Sequence, residues 1–294
     1  MKATLGDRRL VVLLVGPALL VYAGVTLLPV IWSFVYTFFD GGLLTGFTFD
    51  GVQNYIKFFH DPNAGAATWL TIRYAVIVTV GQIVMGYALA LLYVFFLRRG
   101  SALIRTIIFF PVVLPTVAVA LLFQQIFQLA PSTGPVNALI QWLGGTGTDF
   151  LGQPAGAFWV LVAMNIWTAM GFYAVLLYAG LLDIPDDILE AARIDGAGTW
   201  TLIRRIVLPL STPILLASVT FAISGNLKVF DSVVGLTNGG PGNTTTPLTL
   251  YMFQTSFSYG DYGYGSTIAV MLAALCLAFT IVIFRGTRRD LTAD

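Results

Sequence analysis

Apolar residues run along this chain in long blocks rather than in alternation, and the polar residues gather between the blocks. Blocks of roughly 20 residues are long enough to cross about 30 Å of hydrocarbon as helix. Read this way, the pattern predicts six membrane-spanning helices, at approximately 10–38, 72–97, 103–129, 155–182, 206–230 and 266–284. Arg8 and Arg9 precede the first block as they would in a secretory leader. Its apolar stretch continues well past the roughly 7–15 residues of a leader core, so it reads as a retained helix. Pro17, Pro29, Pro111 and Pro115 fall inside blocks; within a bundle, neighbouring helices and local adjustments satisfy the carbonyls they free.

Composition agrees with the pattern. Hydrophobic residues make up 57% of 294, only 10% are charged, and mean hydropathy is +0.85, values outside the soluble range. The fold class is therefore all-α and polytopic, a single transmembrane domain over residues 1–294. A net charge of +1 and a pI near 7.8 leave no basic face for nucleic acid. The single cysteine, Cys276, lies in an apolar run and reads as core, which excludes a disulfide framework or a cysteine metal site. His60 is the only histidine, so no HExxH motif or triad assembles, and no catalytic or metal site is expected. "GGPGNTTTP" and "GGTGTDF" are glycine-rich but lack the lysine of a nucleotide-binding P-loop. Asn243 begins an N-x-Thr sequon that carries no argument here.

Charge sets the expected orientation, because cytoplasmic segments are enriched in Lys and Arg. With both termini in the cytoplasm, that side collects Lys2, Arg8, Arg9, Arg98, Arg99, Arg105, Arg193, Arg204, Arg205, Arg285, Arg288 and Arg289, leaving only Lys57, Arg73 and Lys228. The segments 130–154 and 231–265 then face outward. The loop at about 183–205 faces inward and carries Asp183, Asp186, Asp187, Glu190, Arg193, Asp195, Arg204 and Arg205. At roughly 3 kcal/mol each, their insertion would be opposed by some 20 kcal/mol or more. The loop must be wet or docked on another protein.

Two short helices are predicted within it. "IPDDILEAARIDG" places Pro185 at the first helical position, Asp186 and Asp187 in the first turn near the positive end of the dipole, and a stop at Gly196. Thr199 is the expected N-cap of a second helix through "WTLIRRIV". Ile188, Leu189, Ala191 and Ala192 form an apolar side with small residues at its middle, flanked by Glu190 and Arg193. On pattern alone, that side rests either on the chain's own bundle or on a partner.

The spacing Glu190-Ala191-Ala192, Gly196, Ile206, Leu208-Pro209 resembles the cytoplasmic signature of permease subunits of binding-protein-dependent ABC importers. "FDGVQNYIKFFHDP", "RTIIFFPVVLPTVAVAL", "AGLLDIPDDILEAARIDGAG" and "KVFDSVVGLTNGGPGNTTTPL" are similar to segments of the sugar-transporting branch, of the maltose, trehalose and glycerol-phosphate type and of the first permease of the pair. Relative to the maltose version, an extra N-terminal span pair and a large periplasmic insertion are absent. The resemblance implies a type I importer permease fold in the bacterial cytoplasmic membrane. It implies a loop whose Glu190, Ala191, Ala192, Arg193, Asp195, Gly196 and Ala197 dock on an ATPase. It also implies the partners: a second homologous permease, two copies of a cytoplasmic ATPase, an extracytoplasmic solute-binding protein, a sugar, and the lipid bilayer. No cofactor is expected in this chain, since ATP and Mg would be held by the ATPase.

Polar residues inside spans are costly and mark partners or wet pathways. The fourth span offers Trp167 and Tyr173, and the fifth Ser224, Asn226, Lys228 and Asp231. Rings pack on sugar C–H faces while amides and hydroxyls pair with sugar hydroxyls, although helix packing also accounts for Trp167 and Tyr173. Lys228 and Asp231, three apart, are placed to pair if the helix continues through them. Alignment on "YAVLLYAGL" with the maltose-type subunit implies a ligand contact at Tyr173. A permease for glycerol phosphate or another polyol stays open, as does an ion-coupled secondary transporter.

Overall fold

A computed structural model describes residues 8–97, 101–130 and 132–290. Of the basic residues used for orientation, Lys2, Arg98 and Arg99 lie outside the described residues. The described chain is helical except for short connections and one antiparallel hairpin, Phe39–Gly42 with Gly46–Phe49. The hydrophobic blocks did not announce this hairpin, because its strands are only four residues each and sit in a turn-rich linker. The predicted spans correspond to continuous helices at Val12–Tyr36, Pro62–Phe96, Pro154–Leu182 and Tyr262–Arg285. The other two are broken. Ala102–Val113 meets Thr116–Phe127 at 99°, and Thr199–Leu210 meets Thr212–Asn226 at 66°.

Proline chemistry accounts for the sharper break and for two places without one. Pro115 takes φ −56° and ψ 128° at the sharper bend; it offers no N–H and drives the preceding Leu114 away from helix. Pro29 and Pro209 instead follow π-helical turns at Ala23–Leu27 and Ile203–Val207. Each turn contains the carbonyl four residues before the proline, and the wider turn relieves the clash. The second bend, at Ser211, is held by a 2.8 Å hydrogen bond between Ser211 Oγ and the Tyr87 hydroxyl of the second span.

The chain forms two compact units, one from Met1–Gly65 with Tyr251–Met271 and the other from Ala66–Leu250 with Leu272–Asp294. Two large apolar cores stand out among the described residues of the larger unit, beside a smaller cluster of Ala75, Ile223 and Leu227. One gathers Tyr74, Val78, Val119, Leu161, Met164 and Val233; the other gathers Ile83, Tyr173, Leu177, Leu181, Leu189 and Leu202. Glycines let its helices approach closely. A Cβ on Gly171 would stand 2.2 Å from the Ile108 carbonyl oxygen, and one on Gly81 2.3 Å from Ile166 Cδ1.

The smaller unit is tied by polar contacts. Asp61 accepts hydrogen bonds from the hydroxyls of Tyr251 and Tyr264, the latter at 2.6 Å, and from the Asn63 N–H at 2.8 Å. Lys57 bonds Asp261 at 2.9 Å and lies 4.2 Å from the centre of the Tyr264 ring. Partial burial pushes the Asp61 carboxyl up, but the tyrosine hydroxyls and backbone N–H groups outweigh it and hold the carboxyl below its ordinary value. A group with a depressed folded-state pKa contributes stability that is present above its unfolded value and lost as pH falls through the folded one. Protection of the amides across 53–61 and 251–264, relative to the unfolded chain at the same pH, is accordingly expected to be high at neutral pH and to fall below about pH 4, where carboxylates begin to protonate. Asp61→Asn should show the lower protection already at pH 7. Unchanged protection in that variant would remove Asp61 as the tie.

Candidate functional site: a charged loop and a polar cavity

The loop helix runs Asp186–Ile194, with Asp186 and Asp187 in its first turn as expected. Pro185 stands one position earlier than expected, as the extended N-cap residue with ψ 133°. The helix ends in a Schellman cap: Gly196 N–H bonds Arg193 O at 3.0 Å and Ala197 N–H bonds Ala192 O at 2.9 Å. Gly196 takes φ +82°, which glycine adopts without penalty. The next helix begins at Thr199 with Gly198, not Thr199, in the N-cap position and no side-chain cap; the extended Gly198 already supplies the carbonyl that accepts from Leu202 N–H.

The expected apolar side of this helix divides in two. Leu189 and Ala192 are buried in the chain's own core with Leu181, Ile184, Leu202 and Val207, and Ala197 packs against them. Glu190, Ala191, Arg193, Asp195 and Gly196 are exposed. Ala192 therefore seats the loop on the bundle instead of facing outward. Sequence reasoning passed over Ile194 and Trp200, which are 85% and 73% exposed on either side of the turn. Both depart from the helical period that buries Leu189 and Ala192, which is the signal that would have found them.

Four of the six intramembrane candidates meet in one place. Tyr173, Ser224, Asn226 and Lys228 line a cavity of about 400 Å³ together with Gln82, Thr116, Asn165 and Thr168. Trp167 is not in the lining; it packs into the apolar core beside Phe123, ring centres 5.6 Å apart. Asp231 is likewise outside, at the exposed start of a short helix, Asp231–Leu236. The helix of the fifth span stops at Asn226, earlier than the expected 230, and Phe230 turns the chain with φ −143° and ψ −65°. Lys228 and Asp231 therefore do not share a helix face, and they form no ion pair with each other. Among the residues lining the cavity, Lys228 is the only charged side chain.

An amide network builds one wall. Asn226 Nδ2 donates to Thr79 Oγ1 and Gln82 Oε1, each at 2.9 Å, and Gln82 Nε2 donates to the Asn165 carbonyl at 3.1 Å. The second, fourth and fifth spans are thereby joined through buried polar groups, whose bonds strengthen away from water. Gln82 and Thr79 were not singled out from the sequence. Their only signal there was two polar side chains, three apart, in an otherwise apolar helix. The second and fourth spans also pack closely at Tyr173: a Cβ on Gly86 would lie 2.8 Å from Tyr173 Cβ and 3.1 Å from the Ala174 nitrogen.

Known proteins carry the same pattern over the whole length. The chain is 35% identical over 286 residues to the sulfoquinovosyl glycerol transport system permease of Agrobacterium fabrum, covering 97% of this chain and 92% of that one. It is 31% identical over 283 residues to the trehalose/maltose transport system permease of Thermococcus litoralis, covering 96% and 95%. Among solved structures, a chain of a bacterial ABC transporter involved in alginate import superposes with a TM-score of 0.85 at 23% identity, over 98% of both chains. A second structure of a bacterial alginate transporter, in complex with an alginate pentasaccharide-bound periplasmic protein, gives 0.86. Residues 82–288, which contain both the charged loop and the polar cavity, match the binding-protein-dependent transport system inner membrane component family, and the chain belongs to it.

Proposed function

We propose that this chain is the membrane-spanning permease subunit of an ATP-driven sugar importer, working as one permease domain over residues 1–294 in a bacterial cytoplasmic membrane with both termini inside. The substrate class rests on the cavity: amides, hydroxyls and one tyrosine ring converge there without a carboxylate, the mixture that pairs sugar hydroxyls and covers a sugar's apolar face. Its likeness to permeases named for trehalose/maltose and for sulfoquinovosyl glycerol supports the same class.

The exposed Glu190, Ala191, Arg193, Asp195 and Gly196 present the loop to a cytoplasmic ATPase, while the buried Leu189 and Ala192 transmit its movement into the spans. The full assembly holds a second homologous permease, two ATPase subunits that bind ATP and Mg, and an extracytoplasmic solute-binding protein. This chain itself catalyses nothing and carries no cofactor. In the purified complex, a sugar-loaded binding protein is expected to stimulate ATP hydrolysis. Uptake that survives ATP depletion and collapses with an ion gradient would overturn the reading in favour of a secondary transporter.

Lys228 favours a second reading, a sulfonated or phosphorylated glycoside or polyol. A lone ammonium in a polar cavity without a carboxylate suits one anionic group. Lys228→Gln is then expected to lower uptake of an anionic substrate about tenfold, the equivalent of one lost charge-assisted bond, and to leave neutral sugars unaffected. Equal effects on both would return the cavity to neutral sugars.

A further inference from the structure

A second cavity, of about 350 Å³, lies in the larger unit and has no part in the site just described. Its lining comes from the end of the third-span helix Thr116–Phe127 and the segment before the fourth span: Gln124, Gln125, Phe127, Gln128, Asp149 and Leu151 contribute most of it. The fourth span is one unbroken helix, Pro154–Leu182. The cavity thus adjoins its N-terminal end, while the coupling loop follows its C-terminal end. At 1.5 Å per residue those ends are about 43 Å apart, so the cavity opens on the face of the membrane opposite the loop.

Its chemistry is that of a hydroxyl-rich ligand. The Gln124 amide nitrogen is committed to the Gly235 and Leu236 carbonyls at 3.0 and 2.9 Å, which leaves its oxygen as the group able to accept. Gln128 donates to the Ala130 carbonyl at 2.8 Å, and its Oε1 is buried without a hydrogen-bond partner. A buried acceptor left unpaired is destabilising, and a ligand hydroxyl that reached it would relieve that. Gln125 is exposed, and Asp149 keeps one carboxylate oxygen on the Gly152 N–H at 2.9 Å. The same helix connects the two cavities: Thr116 and Val119 line the inner one, and Gln124, Gln125 and Phe127 line this one. A row of rings follows it inward, with Phe150 against Phe127 at 5.4 Å, Phe127 against Phe123 at 6.1 Å and Phe123 against Trp167 at 5.6 Å.

We propose that this outer cavity is a second carbohydrate subsite, which holds a neutral saccharide before it passes to the inner cavity. Asp149 sets its preference against anionic ligands. The inference rests on the sugar-importer reading, and the experiment separates the two. The complete complex, in proteoliposomes with its binding protein, is assayed with trehalose, maltose and maltotriose. Gln128→Leu removes the unpaired acceptor, and Gln125→Trp fills the cavity from an exposed position that leaves the core untouched. Both are expected to raise the uptake KM about tenfold, the equivalent of one hydrogen bond to a buried group, and more for the trisaccharide than for the disaccharides. Assembly and basal ATP hydrolysis should not change. If the wild-type complex takes up these sugars and intact variants match it in KM, the subsite is overturned and the importer reading stands. If the wild type takes up an anionic glycoside and none of these sugars, the subsite falls and the second reading of the inner cavity stands.

Discussion

Replacing Gly86 with valine is expected to cost the permease about 2 kcal/mol of stability and to abolish substrate uptake. The glycine sits where the second span touches the fourth. Even a Cβ there would lie 2.8 Å from Tyr173 Cβ and 3.1 Å from the Ala174 nitrogen, and neither atom is the flexible end of a side chain. Overpacking of this kind costs about 1–3 kcal/mol. It falls on the residues that line the polar cavity, because Tyr173 is displaced together with the helix that carries Asn165 and Thr168. The expected readout is a fall of roughly 4–8 °C in the thermal midpoint of the detergent-solubilised complex, with uptake lost even in the fraction that assembles. Uptake retained with a lowered midpoint would mean that Tyr173 does not shape the path.

The second large effect is expected at the coupling loop, where exposure separates two alanines that are adjacent in sequence. Ala191→Trp places a large ring on the exposed side and should leave the thermal midpoint of the permease unchanged. Binding of the ATPase and uptake should nevertheless be lost, since the ring occupies the surface through which the loop is proposed to dock. Ala192→Trp acts from the other side. That residue is 8% exposed in the core with Leu189 and Leu202, so the variant should lower the midpoint of the permease itself. Gly196→Val belongs with the first class in space, since nothing lies within 4 Å of a Cβ there. The left-handed φ of +82° would nonetheless cost about 1–2 kcal/mol and unravel the Schellman cap. Pull-down of the ATPase with each variant, alongside melting curves, distinguishes the cases. An Ala191→Trp permease that still binds and transports would remove this face from the interface.

The two alanines also mark how far the sequence could be read. Six apolar blocks, the polar loop among them and the Glu190 to Pro209 spacing were all legible, because each depends on local composition or on fixed separations along the chain. Helical periodicity placed Leu189 and Ala192 on one face. It could not say that the face would be covered by Leu181, Leu202 and Val207 from the same chain. The Lys228–Asp231 pair failed for a related reason. Their spacing suits a helix, but the fifth-span helix has already ended at Asn226 and the next begins only at Asp231, with the chain turned at Phe230 between them.

What the sequence by itself determined is the solvent of this protein, oil along six stretches and water at one charged loop, because the cost of burying charge in hydrocarbon is paid residue by residue. The cavity was decided only in three dimensions. Gln82, Asn165, Tyr173 and Asn226 come from three different spans, and nothing in their spacing brings them together. Their meeting needs three helices side by side, and the absence of a side chain at Gly86 lets the second and fourth approach closely enough for buried amides to satisfy one another.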